Sequence, residues 1–283
     1  INKDKTKNMN NLEAYKMDGL GNDFIIFDRR KKFISLTKSQ IIKIADRSNI
    51  GCDQVIFIDK DISGDVFLRF YNSDGGEITA CGNGSRCVSY LLMKENNNRK
   101  ISLKTNSGNL YAELNNKDLV NINMGQPHFD WEKIPLIKKM NIENLKIEIN
   151  KIKGQKIIGG FALNVGNPHV IFFVENIDEF NLKEIGPKIE NHSYFPEKCN
   201  VTLANIETQK HIKVKVWERG AGLTKACGTA ACATAVAGAI LKLSERRVNI
   251  EFLQGMINID WKVDNNIYME GKVSKVKKIS VSV

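Results

Sequence analysis

Short runs of apolar residues, separated by Asp, Gly or Asn, dominate the chain from residue 12 onward. Runs of this length that are rich in Val, Ile and Phe and bounded by turn-forming residues predict β-strands. The clearest runs cover residues 24–27, 55–58, 66–70, 170–174 and 212–216. The same pattern predicts three or four further strands between residue 248 and the C-terminus. The chain is therefore predicted to be rich in strands.

Helical spacing of apolar residues occurs in fewer places. Residues 37–47 show it behind Thr37, a residue suited to cap a helix. Residues 181–190 give a weaker pattern. The strongest helical segments follow Cys81 and Cys227. With about two helices in each half and many strands, the chain is predicted to have an α+β fold.

Two segments in opposite halves of the chain resemble each other. The first reads Ala-Cys-Gly-Asn-Gly-Ser-Arg-Cys and contains Cys81, whereas the second reads Ala-Cys-Gly-Thr-Ala-Ala-Cys-Ala and contains Cys227. Each is expected to start a helix, with Asn83 and Thr229 as the capping residues. Since the two segments lie about half a chain length apart, we predict an internal duplication with two similar lobes.

The composition excludes several classes of protein. Of the 283 residues, 42% are hydrophobic and 26% are charged, as in ordinary globular proteins. No apolar run approaches the roughly 18 residues that a membrane span needs. The first residues are rich in Lys and Asn and have no apolar core, so we expect no signal peptide. Six cysteines without a signal segment predict reduced thiols and a cytoplasmic location.

The net charge of +10 raises the question of a nucleic-acid partner. The lysines are spread along the whole chain, and no Arg cluster with interleaved aromatic residues occurs. A compositional bias toward Lys, Asn and Ile explains the charge equally well. We therefore expect no nucleic-acid partner and no membrane partner, although the basic field would help to attract a small dianionic substrate.

The duplicated segments offer a specific chemistry. The start of a helix presents unpaired backbone N–H groups and a partial positive charge, which together bind anions such as a carboxylate. Gly82 and Gly228 have no Cβ, so a ligand can approach the backbone there. The same positive end is expected to lower the pKa of Cys81 and Cys227. Two lobes facing each other would place these two thiols across one cleft.

Such a pair of thiols suits inversion at an α-carbon. A thiolate on one side removes the α-proton, and a thiol on the other side returns a proton to the opposite face. Backbone donors stabilise the enediolate that develops in between, and closure of the lobes excludes water. The pattern therefore predicts racemisation or epimerisation by two bases, with no redox change and no cofactor.

The remaining cysteines have structural interpretations. Cys87 and Cys232 do not share a helical face with the first cysteine of their segments, so both are expected in the core. Cys52 and Cys199 lie beside predicted strands and are expected to be structural. Zinc is disfavoured because the sequence has no C-x-x-C and only four histidines. We expect no metal site.

Six motifs in order resemble those of the diaminopimelate epimerase family. Two of them surround the duplicated cysteines: Asn-Ser-Asp-Gly-Gly-Glu precedes Cys81, and Trp-Glu-Arg-Gly-Ala-Gly-Leu-Thr precedes Cys227. The others are Gly-Asn-Asp-Phe at 21–24, Gly-Cys-Asp-Gln at 51–54, Gly-Asn-Pro-His at 166–169 and Cys-Asn-Val at 199–201. The resemblance implies an epimerase independent of pyridoxal phosphate that interconverts L,L- and meso-diaminopimelate on the route to lysine and peptidoglycan.

The resemblance also implies the architecture. The family fold has two pseudo-symmetric lobes, each a barrel-like sheet around a central helix, with the active site in the cleft between them. Residues 12–126 and a returning strand at about 274–283 would form the N-terminal lobe. Residues 127–273 would form the C-terminal lobe. Residues 1–11 are expected to be a disordered tail or an expression remnant, and we expect a homodimer.

By position, the resemblance assigns the reacting end of the substrate. Cys81 and Cys227 become the acid and base pair. The residues implied to hold the reacting carboxylate through their backbone are Gly82, Asn83, Gly228 and Thr229.

The distal end of the substrate is implied to meet a set of polar side chains. Those that would bind the distal carboxylate are Asn72, Asn167, Asn200 and Arg219. Those that would bind the distal ammonium group are Asn72 and Glu218. Asn22 and Gln54 would line the site. His169 and Glu218 would help to set the protonation states of the thiols.

Two departures from the family pattern stand out. The family often has His where this chain has Asp18, which leaves any role of Asp18 open. The second motif often reads Cys-Gly-Ser-Gly-Ala-Cys, whereas this chain has Thr229 and Ala230 within it. Thr229 keeps a hydroxyl and an N–H group, and Ala230 is favourable in a helix, so we expect the helix start to be preserved.

The closest alternative is a proline or hydroxyproline racemase, which shares the fold and the two-thiol chemistry. A site of that kind would leave Glu218, Arg219 and the asparagines without a role. The alternative from another class is a basic nucleic-acid-binding protein, which salt-dependent retention on DNA or RNA would support.

Overall fold

One order of elements occurs twice along the chain. The computed structural model describes residues 11–61 and 66–283, which form a 17-stranded sheet, a two-stranded sheet and four α-helices. The predicted α+β class and the two helices in each half are confirmed within these residues. Apart from Asn11, the predicted N-terminal tail lies outside the described residues.

The first copy of the repeated unit spans residues 11–123. Its helices are α1 (Lys38–Ala45) and α2 (Gly82–Glu95). Its strands are β1 (Asn11–Gly19), β2 (Asn22–Asp28), β3 (Gln54–Lys60), β4 (Val66–Asn72), β5 (Glu77–Ile78), β6 (Lys100–Thr105), β7 (Gly108–Leu114) and β8 (Leu119–Asn123). The pairs β2–β3 and β4–β6 are parallel, and the other neighbouring pairs are antiparallel.

The second copy spans residues 161–272 and has the same order. Its helices are α3 (Leu182–Glu190) and α4 (Gly228–Ile240). A separate hairpin precedes it, with strands β9 (Ile147–Asn150) and β10 (Lys156–Gly159). Its own strands are β11 (Phe161–Asn164), β12 (Pro168–Phe173), β13 (Asn200–Thr208), β14 (His211–Glu218), β15 (Gly222–Thr224), β16 (Arg247–Phe252), β17 (Gly255–Trp261) and β18 (Ile267–Lys272).

The strand pairing of the second copy repeats that of the first. Strands β12–β13 and β14–β16 are the parallel pairs, in the places of β2–β3 and β4–β6. The two copies join through an antiparallel pair, β8–β18. The last strand, β19 (Lys277–Ser282), returns to pair with β1. The repeated topology confirms the predicted duplication.

Each copy wraps its sheet around one helix. Helix α2 contacts β1 and β2 at one side of its sheet segment and β6, β7 and β8 at the other. Helix α4 likewise contacts β11–β13 and β16–β18. Residues 82–89 of α2 and 230–238 of α4 are buried, which explains why α4 is made almost entirely of small apolar residues. The central helices of the two copies also contact each other.

The outer helices cover the opposite faces of the same strands. Phe24 and Ile26 of β2 face the core around α2, whereas Ile25 and Phe27 face the core around α1. Helix α1 begins after Thr37, whose side chain accepts a hydrogen bond from the backbone N–H of Gln40. Strands buried on both faces need continuous apolar runs, which is the pattern that residues 24–27 show in the sequence.

Gly84, in the first turn of α2, packs against the sheet. A Cβ at this position would lie 2.8 Å from Ile56 Cδ1 and 3.2 Å from Phe70 Cε1. Gly84→Ala is therefore expected to destabilise the fold by about 1–3 kcal/mol, because the methyl group overpacks a closed core. Urea unfolding measures the change. Gly159→Ala is the control, since its added Cβ would meet only Phe172 Cδ1 at 3.9 Å, and an equal loss in both variants would contradict the packing argument.

Candidate active site

The two central helices start in the same way. Cys81 and Cys227 are their N-cap residues, with φ and ψ of −144° and 113° in the first and −142° and 114° in the second. The predicted caps, Asn83 and Thr229, are wrong, because each helix begins two residues earlier, at the glycine. The carbonyl group of each cysteine already accepts the first intrahelical hydrogen bond, so the turn closes there.

The two helix starts converge on one side chain. A Cβ on Gly82 would lie 2.6 Å from Met269 Cε, and a Cβ on Gly228 would lie 2.9 Å from Met269 Sδ. The Cβ on Gly228 would also lie 3.9 Å from Asn83 Oδ1. Glycine at both positions therefore lets the two positive helix ends approach one region. Met269, on β18, was missed by the sequence reasoning, and no sequence signal marks it.

Most of the predicted site residues occupy equivalent positions in the two copies. In the first copy, strand register places Gln54 opposite Phe24 on one side and Asn72 on the other. In the second copy, it places Asn200 opposite His169 and next to the Val201–Trp217 pair. The equivalent pairs are Asn22 and Asn167, Gln54 and Asn200, Asn72 and Glu218, Cys81 and Cys227, Gly82 and Gly228, and Asn83 and Thr229. His169 and Arg219 are the two predicted site residues whose equivalents, Phe24 and Ser73, are not themselves predicted site residues.

Hydrogen bonds connect the predicted residues of the first copy. Asn83 Nδ2 donates to Asn22 Oδ1 at 2.8 Å. On the neighbouring strands, Gln54 Nε2 donates to Asn72 Oδ1 at 3.1 Å. Asn83 is buried, whereas the other three are partly exposed, as residues that line a cleft would be.

The second copy makes the equivalent connection through a histidine. His169 Nε2 lies 2.8 Å from Asn167 Oδ1 and 3.1 Å from Thr229 Oγ1. The Thr229 hydroxyl also lies 3.4 Å from Cys227 Sγ. Burial, with a smaller effect of the positive charge of Arg219, lowers the pKa of His169 to about 3. His169 is therefore neutral at physiological pH and orients its two neighbours.

The thiol groups do not have the lowered pKa that the sequence predicted. Burial raises the pKa of Cys81 to about 11, and the Gly84 N–H group, 3.4 Å from Cys81 Sγ, only partly opposes this. Burial raises the pKa of Cys227 well above its ordinary value, and the Glu218 charge raises it further. The expectation was wrong because loss of hydration outweighs the helix end.

Glu218 lies close to both thiols. It shares a hydrogen bond with Cys227, and its charge raises the pKa of Cys81 as well. Burial raises the pKa of Glu218 itself, although Thr224 and Cys227 act in the opposite direction. A carboxyl group with a raised pKa beside a thiol can exchange a proton with that thiol.

The loop after β14 carries the one exposed cation among the predicted residues. The Arg219 N–H group donates to Asn200 Oδ1 at 2.9 Å, and Arg219 Nη1 donates to the Glu197 carbonyl at 3.0 Å. Glu190 anchors the same loop, because its carboxylate accepts from Trp217 Nε1 at 2.7 Å and from the Gly220 N–H at 2.9 Å. The guanidinium is therefore placed at the end of β14, next to Glu218.

The other cysteines lie in the cores, as predicted. Cys87 and Cys232 belong to the clusters around α2 and α4, and Cys52 and Cys199 belong to those under α1 and α3. Asp18 lies at the β1–β2 turn, where its carboxylate accepts from the Gly21 N–H at 3.3 Å.

The described part of the chain offers neither a metal-binding cluster nor a membrane-spanning helix. Residues 11–61 and 66–283 contain no group of three or more His, Cys, Asp or Glu side chains that could hold a metal ion. Within the same ranges, no helix is both long and apolar enough to cross a membrane.

The sequence is similar to a family of known activity. The family model described as diaminopimelate epimerase matches residues 14–129 and 161–276, which correspond to the two copies. The diaminopimelate epimerase of Pelagibacter ubique (strain HTCC1062) is 54% identical over 272 residues, which cover 96% of this chain and 99% of that protein.

Solved structures share the fold at low sequence identity. The phenazine biosynthesis protein of the PhzF family from Bacillus anthracis superposes with a TM-score of 0.68 at 18% identity, over 97% of this chain and 100% of that chain. A hydroxyproline epimerase from Agrobacterium vitis, with bound trans-4-hydroxy-L-proline, gives a TM-score of 0.65 at 9% identity, over 96% and 93% of the two chains. These likenesses establish the two-lobed fold.

Proposed function

The chain belongs to the diaminopimelate epimerase family, and from this premise we propose that it inverts one α-carbon of diaminopimelate with Cys81 and Cys227 as acid and base. The family reaction interconverts the L,L and meso isomers without pyridoxal phosphate, in the biosynthesis of lysine and peptidoglycan precursors. The observation that carries the assignment is the convergence of two equivalent helix starts on Met269, each with a cysteine as its N-cap.

The reacting carboxylate binds between the two helix starts in this proposal. The N–H groups of Gly82, Asn83, Gly228 and Thr229 belong to the first turns, where the helix itself offers them no acceptor. They supply donors from both sides, together with the positive ends of α2 and α4. The absence of a Cβ at both glycines lets the two helix starts pack closely against Met269, which brings them to one region.

Glu218 prepares the thiols for proton transfer. The Cys227 thiol gives its proton to the Glu218 carboxylate, which its raised pKa makes a competent acceptor. The Cys227 thiolate then takes the α-proton, and the Cys81 thiol gives a proton to the opposite face of the enediolate. The products are a Cys227 thiol and a Cys81 thiolate, which together catalyse the reverse reaction. Protons and charges balance in each direction.

The distal amino-acid end meets the polar strand ends. Arg219 presents its guanidinium group to the distal carboxylate. The group can donate two parallel hydrogen bonds to the two carboxylate oxygens. The amides that accompany it are those of Asn72, Asn167 and Asn200. Glu218 and Asn72 accept from the distal ammonium group, and Asn22 and Gln54 line the cleft. Neutral His169 holds Asn167 and Thr229 in place.

Proton NMR in deuterated water tests the proposal. We expect the reduced protein to remove the α-proton signal of L,L-diaminopimelate and to produce the meso isomer, because a deuteron from solvent replaces the abstracted proton. Absence of exchange with diaminopimelate, together with exchange of proline or hydroxyproline, would contradict the substrate and favour the second candidate. That candidate, a proline or hydroxyproline racemase, is favoured only by the shared fold.

The lobe boundaries, location and assembly are also part of the proposal. We assign residues 12–126 and 274–283 to the N-terminal lobe and residues 127–273 to the C-terminal lobe. The pairing of β19 with β1 supports the return of the chain to the first lobe. We place the protein in the cytoplasm as a homodimer, and light scattering coupled to size exclusion measures its mass.

A further inference from the structure

Arg86 is a buried cation that has no anionic partner among the residues that the structure describes. It is the largest fully buried side chain in the described part of the chain, with no exposed surface. Its Nη2 atom donates to Asn83 Oδ1 at 2.8 Å, while Nε and Nη1 have no hydrogen-bond partner. No carboxylate of residues 11–61 or 66–283 lies within salt-bridge distance of it. Buried arginines are normally paired, because an unpaired buried charge is costly.

The hydrogen bond from Arg86 begins a chain that ends on a carboxylate. Asn83 Nδ2 donates to Asn22 Oδ1 at 2.8 Å, and Asn22 Nδ2 donates to Asp53 Oδ2 at 3.0 Å. Behind this chain, Arg47 Nη2 donates to the other oxygen of Asp53 at 2.6 Å. The chain therefore connects the interior of α2 with the surface, through two residues of the proposed site.

The charges at its two ends give this chain one direction. A guanidinium can only donate and an ionised carboxylate can only accept, so the amide groups of Asn83 and Asn22 have one permitted orientation each. Hydrogen bonds that point the same way also polarise and strengthen one another. The position of Asn83, the second residue of α2, is thereby fixed relative to Cys81.

The second copy has no such chain. The residue equivalent to Arg86 is Cys232, and Thr229 meets neutral His169 instead of an asparagine. Among the two helix starts, the one at Cys81 alone has a buried positive charge in its first turns. The Arg86 charge acts on Cys81 directly, since it lowers the pKa of that thiol against the effect of burial.

We propose that Arg86 and Asp53 are positioning residues for the epimerisation: they hold Asn83 at the reacting carboxylate, and the Arg86 charge stabilises the enediolate through Asn83. The inference rests on the proposed function. When the α-proton leaves, the bound carboxylate gains negative charge, and an unpaired cation behind the helix start favours that state over the ground state. The contribution therefore lies in kcat, and substrate binding changes little.

Three variants test the Arg86 end with diaminopimelate as substrate. Arg86→Gln keeps a donor but removes the charge, and we expect kcat to fall about 10- to 100-fold with KM within about threefold of wild type. Arg86→Lys restores the charge and is expected to recover kcat to within about fivefold. Arg29→Gln is the control, because Arg29 bonds Asp59 away from the site and its loss affects stability only.

The Asp53 end gives an independent test, since its side chain is partly exposed and its replacement does not open the core. Asp53→Leu removes the acceptor and is expected to lower kcat about tenfold, whereas Asp53→Asn keeps an acceptor oxygen and stays within about threefold. Arg47→Gln removes the ion pairs of Arg47 with Asp53 and Asp23 but leaves the chain itself intact, and kcat is expected to stay within about twofold of wild type.

The outcomes separate this inference from the proposed function. A wild-type protein that does not epimerise diaminopimelate contradicts the proposed function before any variant is compared. An active wild type with unchanged kcat in Arg86→Gln or in Asp53→Leu overturns the positioning role alone. If Arg86→Gln does not fold, the comparison of Asp53→Leu with Asp53→Asn decides, because equal kcat values in these two would overturn the chain.

Discussion

Replacement of either Cys81 or Cys227 by alanine is expected to lower kcat about 10³- to 10⁴-fold, with little change in KM. In the proposed mechanism each thiol carries one of the two proton transfers at the α-carbon, and general acid or base catalysis typically contributes a factor of about 10²–10⁴. The backbone N–H groups remain in both variants, so substrate binding is retained. The α-proton exchange rate in deuterated water measures the effect on each step.

Cys199→Ala is the matched control for the two cysteine variants. Cys199 is buried in the cluster under α3, on the side of β13 away from the helix starts, and its Sγ lies 3.7 Å from the Ile189 carbonyl oxygen. We expect its kcat to stay within about twofold of wild type and its stability to fall by about 1 kcal/mol. Full activity in Cys81→Ala or in Cys227→Ala would contradict the two-base mechanism.

The strands could be predicted because buried strands consist of apolar residues, and the sequence shows these runs directly. Residues 24–27 and 55–58 are apolar at every position, and both runs are strands, as predicted. The reason for the unbroken pattern could not be predicted. Each run is buried on one face by α2 and on the other by α1, and a short apolar run alone does not tell which helices cover it.

The duplication could be predicted from the cysteine segments, but its extent could not. Asn72 and Glu218 occupy equivalent positions although their side chains differ, and the same holds for Gln54 and Asn200. Only the strand register shows these equivalences. A duplicated unit keeps its backbone pairing while its side chains diverge, so sequence similarity remains only where both copies need the same residue.

The protonation of the thiols depends on contacts that a sequence does not show. The helix start predicts a lowered pKa, yet burial raises the pKa of both thiols, and Glu218 raises them further. Arg86 is a comparable case. It lies within a recognised motif, but residue type alone does not predict an arginine with no exposed surface and with no carboxylate partner in the described part of the chain.

The equivalences suggest how one site treats the two ends of its substrate differently. The two helix starts and their thiols are nearly identical, as an α-carbon that is attacked from either face requires. The residues that break the symmetry include His169, Glu218 and Arg219 in the second copy and Arg86 in the first. In the proposed assignment, the repeated helix starts carry the chemistry at the α-carbon, and Glu218 and Arg219, which replace Asn72 and Ser73 of the first copy, bind the distal end.

Arg219→Gln is therefore expected to raise KM for diaminopimelate about 10- to 100-fold with a smaller change in kcat. Hydrogen bonds to a charged group contribute about 1.5–3 kcal/mol, which corresponds to this range at about 1.4 kcal/mol per factor of ten. The variant is also expected to discriminate less against lysine, which has the same amino groups but no distal carboxylate. Steady-state kinetics with both amino acids measures KM and the selectivity.

Lys188→Gln separates this specific contact from the overall basic field. Lys188 lies exposed on α3 and pairs with Glu184, so its replacement removes the same charge without touching the cleft. If Arg219 acts only by attracting an anionic substrate to a protein of net charge +10, both variants would raise KM equally, and salt would abolish the difference from wild type. If Arg219 binds the distal carboxylate, only Arg219→Gln changes KM. Salt screens direct hydrogen bonds from the guanidinium to the carboxylate far less than it screens the long-range attraction of a charged protein. A KM unchanged in Arg219→Gln would mean that the distal carboxylate is bound by the asparagine amides alone.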